Sequence, residues 1–169
     1  MNCYCKEIID KANSVVQEFS SRDPFFIAKG LGIHIMYVPL CKLKGVYKII
    51  DNSFFIILNQ NSTEEMNKIV CAHELGHHFL HGEQAKAYAI SESIIYDMSR
   101  KYELEANLFA AQLLLDDKTV NEYISDGLDV EKIAMITETD KNLVAIKCGL
   151  LINRGYKFIP QEYSAVFLK

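Results

Sequence analysis

Apolar side chains recur at helical spacing near the start of the chain. They fall every three or four residues over positions 4–20, with charged residues between them, and this predicts an amphipathic helix. A short second helix is expected near Pro24–Gly30. The next run, at 33–38, is rich in β-branched and aromatic residues and predicts a strand.

Two further apolar runs predict a hairpin. They lie at 45–50 and 53–58 and flank Asp51 and Asn52, whose side chains tolerate the positive φ of a tight turn. Together with the strand at 33–38, the hairpin predicts a small three-stranded antiparallel sheet. If the strand at 53–58 lies at the edge of this sheet, it can pair with an extended peptide.

Helical patterns dominate the rest of the chain. Residues 62–65 (Ser-Thr-Glu-Glu) have the form of a capping box, so a long helix is expected from there to about His81, with Gly82 as its stop. Residues 83–100 show no clear period and predict a loop, with room for a short helix, whereas Lys101–Leu115 has strong helical propensity.

The predicted class is therefore α+β, with the small sheet packed on the long helix and a helical carboxyl-terminal region. We expect a single domain over residues 1–169. Its expected parts are the sheet with the two long helices, a small helical subregion and a tail, at 1–115, 116–155 and 156–169.

Composition narrows the functional classes. The 169 residues are 50% hydrophobic and 24% charged, enough for one sizeable core. The net charge of −4 comes without blocks of like charge, so we expect neither a nucleic-acid nor a membrane surface. Five scattered cysteines, no signal-like apolar run and no membrane-length segment predict a cytoplasmic protein.

Residues 73–77 carry the pattern H-E-x-x-H within the expected long helix. The i, i+4 spacing places both imidazoles on one face, within reach of a single ion. Glu74 lies about 100° around the helix from His73, where it can reach a water without being a ligand. The pattern predicts a Zn²⁺ site held by His73 and His77, with Glu74 as the general base.

A catalytic zinc site needs a third protein ligand, and the helix at 101–115 offers two carboxylates. Glu103 shares its face with buried-type alanines and leucines, whereas Glu105 falls on a face expected to be wetter. Glu103 is the better candidate, the alternative being a solvated charge at the helix start. Asn107, one turn later, is a candidate hydrogen-bond partner for a ligand histidine, or an ordinary polar residue at a helix contact.

Two further histidines lie on the same helix. His81 stands eight residues beyond His73, about 12 Å along the axis, which is too far to share the ion. We expect His81 to cap the helix or to bond a ligand from behind, and His78 to face solvent. Tyr88, Tyr96 and Tyr102 are nearby in sequence and could stabilise an oxyanion or simply pack.

The chain resembles the ImmA/IrrE metallo-endopeptidases of bacterial mobile elements and prophages. The resemblance lies in residues 72–81 (AHELGHHFLH) and 103–115 (ELEANLFAAQLLL). It implies zinc ligation by His73, His77 and Glu103 and catalysis by Glu74. It also implies a protein substrate, a helix-turn-helix repressor whose cleavage derepresses the element.

Two other classes of function are open to the sequence. The helical patterns at 129–136 and 140–152 resemble a helix-turn-helix pair with Lys141 and Lys147 on its second helix, but the surrounding acidic residues make direct nucleic-acid binding a weak prediction. The chain could instead be a metal-binding anti-repressor that does not cleave, with Cys3 or Cys5 in the open metal position.

Overall fold

Aspartates begin four of the helices in this computed structural model, which describes residues 3–88 and 95–158. Each carboxylate accepts a hydrogen bond from a backbone N–H in the first turn, the role for which Asp is favoured at helix starts. These caps are Asp23, Asp116, Asp129 and Asp140. The described helices and strands are α1 Cys3–Phe19, α2 Pro24–Gly30, β1 His34–Val38, β2 Gly45–Ile50, β3 Ser53–Asn59, α3 Glu64–Tyr88, α4 Ile95–Leu114, α5 Asp117–Ser125, α6 Val130–Ile136 and α7 Lys141–Asn153.

The α+β class is confirmed, but the sheet is mixed and not antiparallel. Its strand order is β1-β3-β2, with β1 parallel and β2 antiparallel to β3. The hairpin turn is as expected, since Asp51 and Asn52 have φ of 48° and 61°. Residues 53–58 form the central strand, so the edge position that would let them pair with a peptide does not apply. Ile56 and Leu58 are fully buried, and the most apolar strand occupies the centre.

Helix α3 is longer than the sequence predicted. It starts at Glu64, with the Thr63 hydroxyl accepting a bond from the N–H of Met66, so Thr63 rather than Ser62 supplies the first capping bond. It continues through Gly82 to Tyr88, because one glycine costs a helix only about 1 kcal/mol and good helix formers follow. The loop expected at 83–100 is therefore helical wherever the structure describes it.

Helices α3 and α4 pack against each other at the centre of the molecule, with β2 and β3 against α3 and with α1 and α7 against α4. The tightest approach is at Gly76. A Cβ atom at this position would lie 2.9 Å from the Ala106 Cα and 3.0 Å from the Ala106 carbonyl oxygen. Only glycine allows the two backbones to come so close. This contact sets the distance between the helix of the H-E-x-x-H pattern and the helix of Glu103.

The carboxyl-terminal helices join α4 through a buried ionic cluster. Lys147 of α7 is 0% exposed and bonds Asp117 and, at 2.7 Å, the Gln112 side-chain oxygen. Arg154 also bonds Asp117. Burial alone would raise the pKa of Asp117, but its bonds to Lys147 and Arg154 hold that pKa below its usual value.

Helices α6 and α7 lie where the helix-turn-helix interpretation put them, but α7 is a core helix. Residues Leu143, Val144, Ala145, Ile146, Lys147, Cys148, Leu150 and Leu151 are all buried. Lys147 therefore cannot contact a phosphate, and Lys141 lies 3.4 Å from Glu131. The expected recognition helix presents no basic face, which argues against direct DNA binding.

We predict that Gly76→Ala destabilises the protein by about 1–3 kcal/mol, because the added methyl group overlaps the α4 backbone. Gly82→Ala is the matched control on the same helix. None of the described neighbours lies within 4 Å of a Cβ atom there, so alanine should leave stability unchanged or raise it by up to about 1 kcal/mol. Urea denaturation measures both. Equal effects of the two substitutions would contradict the close-approach explanation.

The buried cluster gives a second prediction. Asp117→Ala should cost about 3–5 kcal/mol of unfolding free energy, because it leaves the Lys147 ammonium buried without its carboxylate. Lys147→Met should cost less than about 2 kcal/mol, since Arg154 still pairs with Asp117. Urea unfolding of both variants tests the order. A Lys147→Met variant as unstable as Asp117→Ala would contradict it.

Candidate metal centre

Helices α3 and α4 bring three potential ligands to one point. The two Nε2 atoms of His73 and His77 are 3.1 Å apart. The Glu103 carboxylate lies 3.4 Å from the His73 Nε2 and 3.5 Å from the His77 Nε2. Among the residues that the structure describes, this is the group of His, Cys, Asp and Glu side chains whose ligand atoms could share a metal ion. These are the three residues that the sequence analysis singled out.

The spacing of the three groups fits a metal. Tetrahedral ligand atoms bonded to zinc at about 2.0–2.1 Å lie roughly 3.3 Å from one another, and the three groups here are close to that separation. Burial, with the nearby His73, lowers the pKa of His77 to about 3. Burial also acts to lower the pKa of His73, but the bonds and charges of Glu103 and Glu74 outweigh it and raise that pKa. A metal ligand must be the neutral imidazole, so an ion at this point displaces a proton from His73. Two imidazoles and one carboxylate also form the donor set of catalytic sites that keep a position open.

Asn107 contacts the first histidine from behind. Its side-chain oxygen lies 2.8 Å from the His73 Nδ1, and both residues are buried. Because the His73 Nε2 faces the metal position, Nδ1 carries the hydrogen and donates to Asn107. This bond fixes the orientation of the ring, the role that outer hydrogen-bond partners have at metal sites.

Glu74 lies near the candidate ligands His73 and Glu103 and is almost completely buried. Burial raises its pKa to about 7, and the charge of Glu103 adds to the effect. His73 and the backbone N–H of Tyr47 act in the opposite direction. A carboxylate with a pKa near neutrality can both accept and release a proton, as a general base that later acts as an acid must.

The structure corrects the environments predicted for three neighbouring side chains. Glu105, expected on a wetter face, is buried, and its Oε2 lies 2.5 Å from the His81 Nε2. Glu103, expected on the buried stripe, keeps 20% of its side chain exposed. His78, expected in solvent, is partly buried, with Nδ1 2.8 Å from the Tyr47 hydroxyl. His81 of α3 covers Glu105, and Tyr47 of β2 bonds His78.

The candidate tyrosines and cysteines contribute less to the metal site. The Tyr102 ring packs on His81, with centroids 4.4 Å apart, while the side chains of Tyr88 and Tyr96 lie outside the described part of the chain. The side chain of Cys3 also lies outside it, and Cys5 does not belong to the described metal-binding group. The role of Tyr47, whose N–H reaches Glu74, was missed because pairing across the fold has no local signal.

The fold and this site define a metallopeptidase. The chain belongs to the ImmA/IrrE family: the peptidase M78 model, described as the IrrE N-terminal-like domain, matches residues 28–145. The chain is 30% identical over 164 residues to "Metallopeptidase ImmA" of Bacillus subtilis (strain 168), covering 95% of each protein. It is 29% identical over 134 residues to "Uncharacterized immunity region protein 2" of Bacillus phage phi105, covering 79% of this chain and 84% of that protein.

The described helices include none with the length and apolar character needed to cross a bilayer.

The geometry predicts the effect of removing the carboxylate ligand. Glu103→Ala should weaken zinc binding by more than about 100-fold, beyond the range seen when an outer partner is removed. Glu131→Ala removes an exposed carboxylate of α6 and should leave the affinity unchanged. Competition with a chromophoric chelator measures both constants. Equal affinity of the two variants would exclude Glu103 as a ligand.

Proposed function

We propose that this protein is a zinc endopeptidase that cleaves a helix-turn-helix repressor of a phage or mobile element and so derepresses it. The observation that carries the proposal is the convergence of His73, His77 and Glu103 beside the buried Glu74. Two nitrogen donors and one oxygen donor suit zinc, which tolerates mixed sets of this kind. When bound, zinc acidifies water and polarises a carbonyl group.

Glu74 carries the proton transfers in this proposal. Its carboxylate takes a proton from the attacking water as the new C–O bond forms at the peptide carbonyl. The same carboxyl group then donates that proton to the amine nitrogen as the C–N bond breaks. Because burial keeps the pKa of Glu74 near 7, the carboxylate can perform both steps at neutral pH.

The outer edge of β2, which no other described strand pairs, gives an extended substrate a place to bind. β2 lies at the edge of the sheet, against α3. The N–H of Tyr47, on β2, bonds Glu74, so this edge of the strand faces the site. A peptide that pairs with β2 comes to lie beside Glu74. This strand takes the place of β3, which the sequence analysis considered for the same role.

Two observations support the choice of substrate. The family resemblance implies a repressor, and the name of the phage relative assigns that protein to an immunity region. A repressor encoded by the phage or mobile element is consistent with the resemblance and with the name of the relative.

The decisive experiment incubates the purified protein with the repressor encoded beside it and follows the products by mass spectrometry. The wild-type protein should cut it, a chelator should stop the reaction, and added zinc should restore it. Glu74→Gln should reduce cleavage by at least about 1000-fold while zinc remains bound, because the amide cannot accept the proton.

Two results would contradict the proposal. A Glu74→Gln variant that cleaves at the wild-type rate would remove Glu74 from the mechanism. If the preparation cuts an unfolded protein but leaves the repressor intact, this substrate class is excluded and the peptidase activity stands.

A further inference from the structure

Two buried side chains extend from the second histidine of the site. The His81 Nδ1 lies 3.1 Å from the His77 Nδ1, and the His81 Nε2 lies 2.5 Å from the Glu105 carboxylate. His81 and Glu105 are only 5% and 6% exposed. The contacts form an unbroken chain from the carboxylate of Glu105 to the ring of His77.

Metal binding leaves one consistent placement of hydrogens in this chain. If the His77 Nε2 faces the metal, the neutral ring carries its hydrogen on Nδ1. That N–H donates to the His81 Nδ1, so the hydrogen of His81 is on Nε2 and donates to Glu105. Each donor then has an acceptor, and the only anion lies at the far end.

The burial of Glu105 has no simpler explanation among the described contacts. A carboxylate removed from water needs a strong partner. Lys101 lies 3.7 Å away, but its side chain is 62% exposed, so it provides only a solvated charge. The close and buried partner is His81. Tyr102, one turn before Glu105 on α4, packs on the same imidazole and limits its rotation.

We propose that His81 and Glu105 are positioning residues of the metal centre. Glu105 holds His81 in the tautomer that accepts a bond from His77, and this bond orients the His77 ring and makes it a stronger ligand. The inference rests on the proposed zinc site. It gives each histidine ligand an outer partner, with Asn107 behind His73 and the His81–Glu105 pair behind His77.

Substitutions at His81 separate this role from simple packing. His81→Phe keeps a ring against Tyr102 but removes the acceptor, and it should weaken zinc binding by about 10–100-fold. His81→Asn places an amide oxygen near the position of Nδ1, so it should recover much of the affinity although its contact with Glu105 is lost. His78→Phe, on the same helix and next to His77, is the matched control and should bind zinc like the wild-type protein.

Substitutions at Glu105 test the second bond of the chain. Glu105→Leu should weaken zinc binding by about tenfold, and Glu105→Gln, whose carbonyl oxygen still accepts from His81, should have less effect. The double variant His81→Phe/Glu105→Leu should bind no more weakly than His81→Phe alone, since Glu105 acts only through His81. A double variant that loses the product of the two single effects would contradict the chain.

The readouts are the zinc dissociation constant and the visible spectrum of the cobalt-substituted protein, with urea unfolding to verify the fold. A changed spectrum in His81→Phe but not in His78→Phe supports the inference, and wild-type affinity in His81→Phe overturns it. If His81→Phe does not fold, the zinc affinities of His81→Asn and of the Glu105 variants test the inference. They support it if they fall in the expected order and overturn it if they do not.

These measurements do not depend on cleavage. If the affinities follow the expected order but no repressor is cut, the proposed substrate is excluded and the positioning role stands. A wild-type protein that binds no zinc overturns both.

Discussion

The close approach of α3 and α4 at Gly76 is the constraint on which the rest of the site depends. Ligands that come from two helices can share one ion only if the distance between the backbones is fixed within a few tenths of an ångström. The Gly76–Ala106 contact fixes this distance, because a side chain on Gly76 would overlap the α4 backbone. The glycine inside the H-E-x-x-H pattern is thus a packing residue, and the buried helices around the pair hold the contact in place.

Much of the fold could be predicted because its signals are local. The period of apolar residues located α1, the asparagine of the Asp51–Asn52 turn indicated the hairpin, and the i, i+4 histidines placed the candidate metal site on a helix. Each of these features depends on residues close together in sequence. The same holds for the positions of α6 and α7, which are confirmed. The burial of Lys147 on α7 was not predicted, since a lysine in a helical pattern does not reveal that an aspartate of another helix will pair with it.

The errors share a physical cause, which is that pairing between distant elements leaves no local trace. The direction of β1 relative to β3 depends on which strand occupies the centre of the sheet. A short apolar run predicts a strand but not the strands with which it pairs. Helix periodicity predicts that Glu103 is more deeply buried than Glu105, yet Glu105 is the more buried of the two. The predicted order of burial is wrong, although Glu103 is the carboxylate beside the two histidines.

The burial of Glu105 shows how the single helix α4 contacts three histidines of α3. Glu103 and Asn107, one turn apart on α4, contact His73, and Tyr102 and Glu105, also about one turn apart, contact His81. His77 lies between these two pairs and contacts both Glu103 and His81. The contacts to His73 and to His81 come from two neighbouring faces of α4, and together these faces enclose the histidine stripe. A burial stripe assigned to one face of α4 would describe only half of that enclosure, because the contact with His81 buries Glu105 on the neighbouring face.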